Sequence, residues 1–576
     1  MRCGMIISAM SARATADSDS LGPRAGKPSG DPPVTSKAGA SAADPFDDYL
    51  REQQRTETFD EMFGEGSEPR ETHRQIHQIL KRMSGTDFEA RASTLARAHV
   101  DQGVTFSLSG DERPFPLDLV PRAIGADEWR LIERGISQRV RALEAFLADV
   151  YGAGEVFADR VVPRRLVTSS KHFHRAAYGI TPPNGVRIHV AGVDLVRDGT
   201  GRFCVLEDNL RCPSGVSYVL ENRRVMARGF PELFARARVR AVAVYPARLL
   251  RALRAAAPPE VAEPTIVVLT PGVHNSAYFE HSLLARQMGV ELVEGRDLVC
   301  RDGIVRMRTT SGERRVDVIY RRIDDDFLDP MHFRPDSLIG CPGVLNAARA
   351  GNVVLANAVG NGVADDKLTY TYVPDLIQYY LNEKPLLPNV ETYRLEDPDQ
   401  LHTALDKIDQ LVLKPVDGSG GHGLVMGPTA TDEQLDAVRQ AILARPRDWI
   451  AQPVVRLSSA PTFVDGQLAP RHIDLRPFAV NDGTTVWVLP GGLTRVALVE
   501  DSLVVNSSQG GGSKDTWVLT SRRAPRRPHD PDDEDLLLPA IATPLPLESR
   551  RVTPGPELGP MYGDQQQQQQ QGRVPC

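Results

Sequence analysis

One stretch constrains the fold more than any other. TIVVLTPG (265–272) reads as a buried strand that stops at a Pro-Gly break. SAYFEHSLLARQMG (276–289) follows with helical spacing, and VELVEG (290–295) reads as a second strand. A strand–helix–strand run of this kind implies two parallel strands joined by a right-handed crossover. VDVIYRRI (316–323) and NVVLANAVG (352–360) supply two further strands. The chain is therefore expected to be α/β, with α+β parts on either side of this unit.

Around that unit the patterning changes. Residues 45–160 read as mostly helical, because HRQIHQILKRM and EWRLIERGISQRVRALEAFLADVY place apolar residues three and four apart. GVRIHVAGVDLVRD and GRFCVLEDN, joined at Asp198-Gly199-Thr200-Gly201, read as a β-hairpin within 161–245. The α/β unit occupies 246–362. A final block, 363–520, holds LVLKPVDGSGGHGLVMG, the helix TDEQLDAVRQAILAR, and the strands WIAQPVV, HIDLRPFAV and TTVWVLPGGLTRVAL.

Both ends differ from this core. Residues 1–44 carry few large apolar side chains. Residues 521–576 hold ten prolines and a seven-glutamine run, Gln565 to Gln571. Such segments cannot bury enough surface to offset chain entropy, so both are expected to be disordered tails.

Charge and cysteine content exclude several classes. Lys+Arg 68 against Asp+Glu 75 gives a net charge of −7, too balanced for a protein that binds polyanions through bulk charge, so no nucleic-acid partner is expected. No apolar run is long enough to span a membrane. Six cysteines without a C-x-x-C pair do not make a disulfide scaffold. A cytoplasmic protein is expected, with the four cysteines of the core serving as packing.

Three local patterns carry chemistry. The first is Lys414 at the end of a strand, followed by Gly418, Ser419, Gly420, Gly421 and Gly423. Glycines let backbone N–H groups wrap phosphate oxygens, and the lysine adds countercharge, although an ordinary glycine-rich hairpin with a surface lysine fits the pattern equally well. The order differs from a P-loop, where lysine follows the glycines. The second is Glu207 and Asn209 on one face of a strand, with Asp194 opposite on the paired strand. Two carboxylates and an amide oxygen suit Mg²⁺, which accepts few protein ligands and completes its shell with phosphates and water. The third is Asp474 and Arg476 on one strand face, with Arg495 further on, where arginine can neutralise phosphate or close a salt bridge. His189 reads as a buried strand histidine and His281 as a structural one. Lys171, His172 and His174 form a polar cluster that fits a substrate mouth or a solvated loop equally well. Arg321, Arg322 and Asp324 to Asp326 close a strand of the α/β unit, where ligands often bind, and they fit a substrate role or an ion-paired turn equally well.

The order LVLKP–glycine loop, IAQPVV, IDLRPFAV and an arginine strand resembles the nucleotide-binding core of the ATP-grasp fold. That core ends in a hairpin like GVDLVRDGTGRFCVLEDN, which here lies about 200 residues before the lysine. The arrangement resembles the circularly permuted ATP-grasp type 2 family, distantly similar to glutathionylspermidine synthetase. LTPGVHNSAYFEHSLLARQMGVELVEGRDL, YRRIDDDFLDP, VLANAVGNGVADDK and SSQGGGSKDTWVL carry the likeness across roughly Phe46 to Leu519.

The resemblance implies a circularly permuted ATP-grasp fold, with a Rossmann-like pre-ATP-grasp unit inserted and a helical N-terminal region. It implies ATP and Mg²⁺, with Asp194, Glu207 and Asn209 as metal ligands. Lys367, Lys414 and Gln452, with the glycine loop, would hold ATP. Arg476 and Arg495 would stabilise the transferring phosphate, and Arg187, with His189 and Arg211 nearby, would hold an acidic substrate. No acidic residue closely follows Gln452, where many members use one for the ribose. The implied activity is an ADP-forming carboxylate–amine or carboxylate–thiol ligase working through an acylphosphate. Its substrates would be small molecules or peptides bearing a carboxylate and an amine. A catalytically weak nucleotide-binding scaffold of a peptide-modification assembly is the alternative. An α-helical protein and a transglutaminase-like protein are the partners the family implies. A hydride-transfer protein would need a dinucleotide fingerprint, which is missing.

Overall fold

The computed structural model describes residues 44–108, 111–418, 423–500, 502, 503, 505, 511–521 and 565. The segments expected to be tails, 1–44 and 521–576, lie almost entirely outside the described residues. Asp44 onward forms one compact unit.

The chain is mixed α/β with several sheets. The α/β unit is a four-stranded parallel sheet in the order Val354–Ala356, Val318–Arg321, Ile266–Leu269, Glu291–Val293. All three strand pairings are parallel, as the strand–helix–strand run predicts. The crossover helix is Tyr278–Met288, and it ends at Gly289, whose φ of 71° lets the chain turn directly into the next strand.

A six-stranded sheet holds the site together. Its order is Leu117–Ile124, Gly512–Val518, Val486–Val496, Arg476–Asn481, Val190–Arg197, Phe203–Asn209. The predicted hairpin therefore lies beside the Arg476 strand, Phe478 pairing with Gly192, despite the long separation in sequence. A smaller four-stranded antiparallel sheet carries Leu411–Pro415 between Val425–Met426 and Trp449–Pro453, with Tyr393–Arg394 outermost.

The N-terminal region differs from the helical expectation for 45–160. It contains the helices Gly85–Asp101 and Ala126–Val150, but Leu117–Ile124 is an edge strand of the six-stranded sheet, parallel to Gly512–Val518. Pro121 and Arg122 hide this strand from pattern reading. Proline is tolerated because the strand is at an edge, and the register shifts between Lys514 and Thr516, where Pro121 sits opposite. Arg122 is buried with Glu61, which also accepts from Arg197 (3.0 Å) and Ser458 (2.7 Å). These bonds join the N-terminal segment to the hairpin.

Candidate functional site

The hairpin places its functional groups by register. Asp194 pairs directly with Glu207 and Gly192 with Asn209. The next pair is Leu195 with Val205, so Leu206 is an extra residue, a β-bulge. Leu206 and Glu207 consequently both line the same cavity, which consecutive residues of a regular strand cannot do. That cavity measures about 370 Å³ and opens between the hairpin and the Lys414 sheet.

Asp194 lies fully buried at its floor. Arg476 binds it through Nε and through Nη2 (2.7 Å), and Arg495 Nη2 donates to the same carboxylate at 2.7 Å. Arg495 also donates to Asp474 through Nε at 2.9 Å. Burial alone would raise the Asp194 carboxyl. The two guanidinium groups outweigh that and hold it below the usual carboxylate range. Burial pushes Asp474 up, and Arg495 offsets this only in part.

Cations face this floor. Lys367 Nζ lies 3.5 Å from Glu207 Oε2 and donates to the Gly418 carbonyl. Lys414 Nζ donates to Gln452 Oε1 at 2.6 Å, and Gln452 Nε2 donates to Thr392 Oγ1 at 2.8 Å. Burial of the Lys414 ammonium pulls its pKa down to about 8, with Glu207 working against the fall and Lys367 adding to it. The wall beyond Gln452 is Pro453, Val454 and Val455, which is apolar.

The donor set fits Mg²⁺ in part. Glu207 meets Lys367 at 3.5 Å and Arg476 at 3.7 Å, and its carboxyl also lies against that of Asp194. Asn209 donates its amide N–H to Gly192 O (3.2 Å) and Asp194 Oδ1 (3.5 Å), which leaves its amide oxygen as the ligand atom. Among the described residues, no group of three or more His, Cys, Asp or Glu side chains is arranged to hold a metal. A two-ligand site suits Mg²⁺ that is shared with phosphate oxygens. Asp194 departs from expectation. Both of its oxygens are held by guanidinium groups, so it anchors Arg476 and Arg495 instead of presenting an open ligand atom.

Arg187 is the other departure. It is buried outside the cavity, where Nη2 donates to Ile180 O (2.9 Å) and its guanidinium lies over the Tyr151 ring. It precedes the strand Val190–Arg197, and its backbone N–H is fixed by Glu144 at 2.7 Å, which turns it away from Asp194. Arg211 meets Asp365 and Asp324, both at 2.7 Å, at the α/β unit. His189 is buried, as expected of a strand histidine, and among the described residues neither ring nitrogen has a hydrogen-bond partner. Of the glycine loop, Gly418 lines the cavity and Gly423 adopts a φ of 73°. Ser419, Gly420 and Gly421 lie outside the described residues. Sequence reading missed Thr392, Arg139 and Asn389. No local pattern marks them, because each acts through a contact distant in sequence.

The comparisons agree with this geometry. The sequence profile described as circularly permuted ATP-grasp type 2 matches residues 121–497. An uncharacterized protein of Mycobacterium tuberculosis H37Rv is 67% identical over 464 residues, 81% of this chain and 84% of that one. A Synechocystis protein, also uncharacterized, is 51% identical over 465 residues, 80% of this chain and 97% of its own. A Frankia alni protein provisionally named a glutamate–cysteine ligase is 46% identical over 482 residues, 83% of this chain but 56% of that protein. A glutathione synthetase-like effector from Globodera pallida, solved in its apo form, shares the fold with a TM-score of 0.51 at 11% identity, covering 76% of this chain and 98% of its own. With its hairpin moved ahead of the lysine strand and its profile match spanning most of the core, this chain belongs to the circularly permuted ATP-grasp type 2 family.

Proposed function

We propose that the protein is an ATP- and Mg²⁺-dependent, ADP-forming ligase that joins a carboxylate to an amine or thiol. The observation that carries this reading is the convergence of Lys367, Lys414, Arg495, Asp194 and Glu207 on one cavity. Its cationic side suits a polyphosphate, and its apolar wall suits a base. Phosphoryl transfer needs chiefly positioning and charge neutralisation, and this side-chain set supplies both.

In this reading the substrate carboxylate attacks the γ-phosphorus of ATP. The bond to the β–γ bridging oxygen breaks and ADP leaves. Arg495 at the cavity wall and Arg476 beside it, both fixed by Asp194, would neutralise the charge that develops on the transferring phosphate. Lys367 and Lys414 hold the nucleotide phosphates. An amine or thiol then attacks the acyl carbon and inorganic phosphate departs. Glu207 and Asn209 would hold Mg²⁺, which supplies neutralisation of phosphate charge when bound. The name of the Frankia alni relative suits an amino-acid substrate, although this chain spans only about half of that protein.

A second reading is a nucleotide-binding scaffold with little turnover. It draws on one observation, the occupation of both Asp194 oxygens by arginine. The test is to incubate the purified protein with Mg·ATP and pooled amino acids, amines and carboxylates. The ligase reading expects ADP and phosphate together with a new condensed product. Release of AMP would rule out the acylphosphate route, and no turnover with intact nucleotide binding would favour the scaffold.

A further inference from the structure

Between Glu207 and Asn209 stands Asp208, whose side chain points the opposite way. It is buried against Arg139, from the helix Ala126–Val150. Arg139 Nε donates to Asp208 Oδ1 at 2.6 Å and Nη2 to Oδ2 at 2.7 Å, a two-pronged pair. The third arm of the guanidinium, Nη1, donates to Asn389 Oδ1 at 2.8 Å. Asn389 lies in the linker that enters the Lys414 lobe, and this linker pairs with the outer edge of the same strand. Val205 N–H donates to Pro388 O (2.8 Å) and Val390 N–H to Val205 O (2.9 Å). Tyr370, whose ring lies beneath Arg139, donates its hydroxyl to Val205 O at 2.6 Å.

This cluster sits immediately beside the bulge at Leu206. A bulge is what turns Glu207 into the cavity, and a slip of one residue would turn it out again. Alternation along the strand means that holding Asp208 on the outer face holds Glu207 and Asn209 on the inner one. We infer that Arg139 is a positioning residue for Glu207 and Asn209, acting through Asp208 to lock the bulged register of the strand. The inference rests on the reading of Glu207 and Asn209 as Mg²⁺ ligands.

The test is a titration of Mg²⁺ at fixed ADP, read as the midpoint at which metal strengthens nucleotide binding by calorimetry. Thermal melting of the full chain is followed alongside. Removing Arg139 alone would strand a buried carboxylate, so two gentler changes are used. Arg139→Lys keeps the charge but loses the paired bonds. Arg139→Met combined with Asp208→Leu replaces the ion pair by apolar side chains of similar size. In each, the Mg²⁺ midpoint is expected to rise by about tenfold or more, as when an outer partner of a metal ligand is lost. Nucleotide binding without metal stays unchanged. An unchanged midpoint in either folded variant overturns the inference, whatever its melting temperature. Glu207→Gln in the same titration separates the two levels. If it shifts the midpoint and the Arg139 variants do not, only the positioning role falls. If it too leaves the midpoint unmoved, the metal reading falls and the inference with it.

Discussion

Arg495 reaches Asp194 across 301 residues of chain, Nη2 to Oδ2 at 2.7 Å, and shares that carboxylate with Arg476. The bond joins the hairpin to the strand Val486–Val496 at the base of the cavity. Arg476→Lys would keep a positive charge but lose the two parallel bonds. The expected outcome is a fall in ATP turnover of about a hundredfold or more, the scale seen when one donor to a developing charge is removed. Nucleotide affinity should change far less. Steady-state release of ADP measured beside calorimetric binding checks the split.

Lys414 predicts a pH dependence in nucleotide binding. Its pKa is pulled down to about 8 by burial. Below pH 8 the ammonium is charged and attracts phosphate; above it the group is neutral. Affinity for ADP should therefore fall as pH rises through 8, by up to about tenfold per unit. Binding near pH 8 to 9 should take up protons, visible as a dependence of binding heat on the buffer. Lys414→Met should flatten the profile; a profile that keeps its slope in that variant would falsify the assignment.

Two buried histidines predict acid sensitivity. Burial pulls His73 down to about 3 and His189 to about 4, from an ordinary 6.5. Between those values and 6.5 the unfolded chain binds protons that the folded chain does not. Stability is therefore fully present above 6.5 and is lost as pH falls, by up to about 1.4 kcal/mol per unit for each group. Urea unfolding at pH 7.5 and pH 5 should reveal the difference, and His189→Asn should reduce the slope.

Glu61 predicts a structural defect. It is buried between Arg122 and Arg197. Glu61→Gln leaves two guanidinium groups without their carboxylate and should cost about 3–5 kcal/mol of stability. The hairpin and the N-terminal segment should both lose protection in hydrogen exchange, because Glu61 joins them. Loss confined to one of the two would count against that role.

Much of the site was legible because its chemistry is written locally. Glu207 and Asn209 stand two apart on a strand, and Lys414 ends another before a glycine run. Their meeting was readable only from motif order, since nothing local says that residue 207 faces residue 367. Arg187 was read as a substrate contact because it lies just before the hairpin strand, whereas the structure places it outside the cavity lining, with its backbone N–H held by Glu144 from a distant helix. The bulge at Leu206 leaves no mark in the sequence, because its pattern is set by partners across the sheet. The strand Leu117–Ile124 was hidden by a proline and an arginine whose tolerance depends on a sheet edge and on Glu61.

The strand Gly512–Val518 lies between Leu117–Ile124 and Val486–Val496. During synthesis, the edge at 117–124 leaves the ribosome almost 400 residues before the strand that covers it. Until that strand arrives, two sheet edges stay open and the floor of the cavity is unsupported. Closure of so long a loop makes folding slow and exposes unpaired edges to other chains. Translation interrupted short of residue 512 should therefore leave both edges open to pairing with other chains.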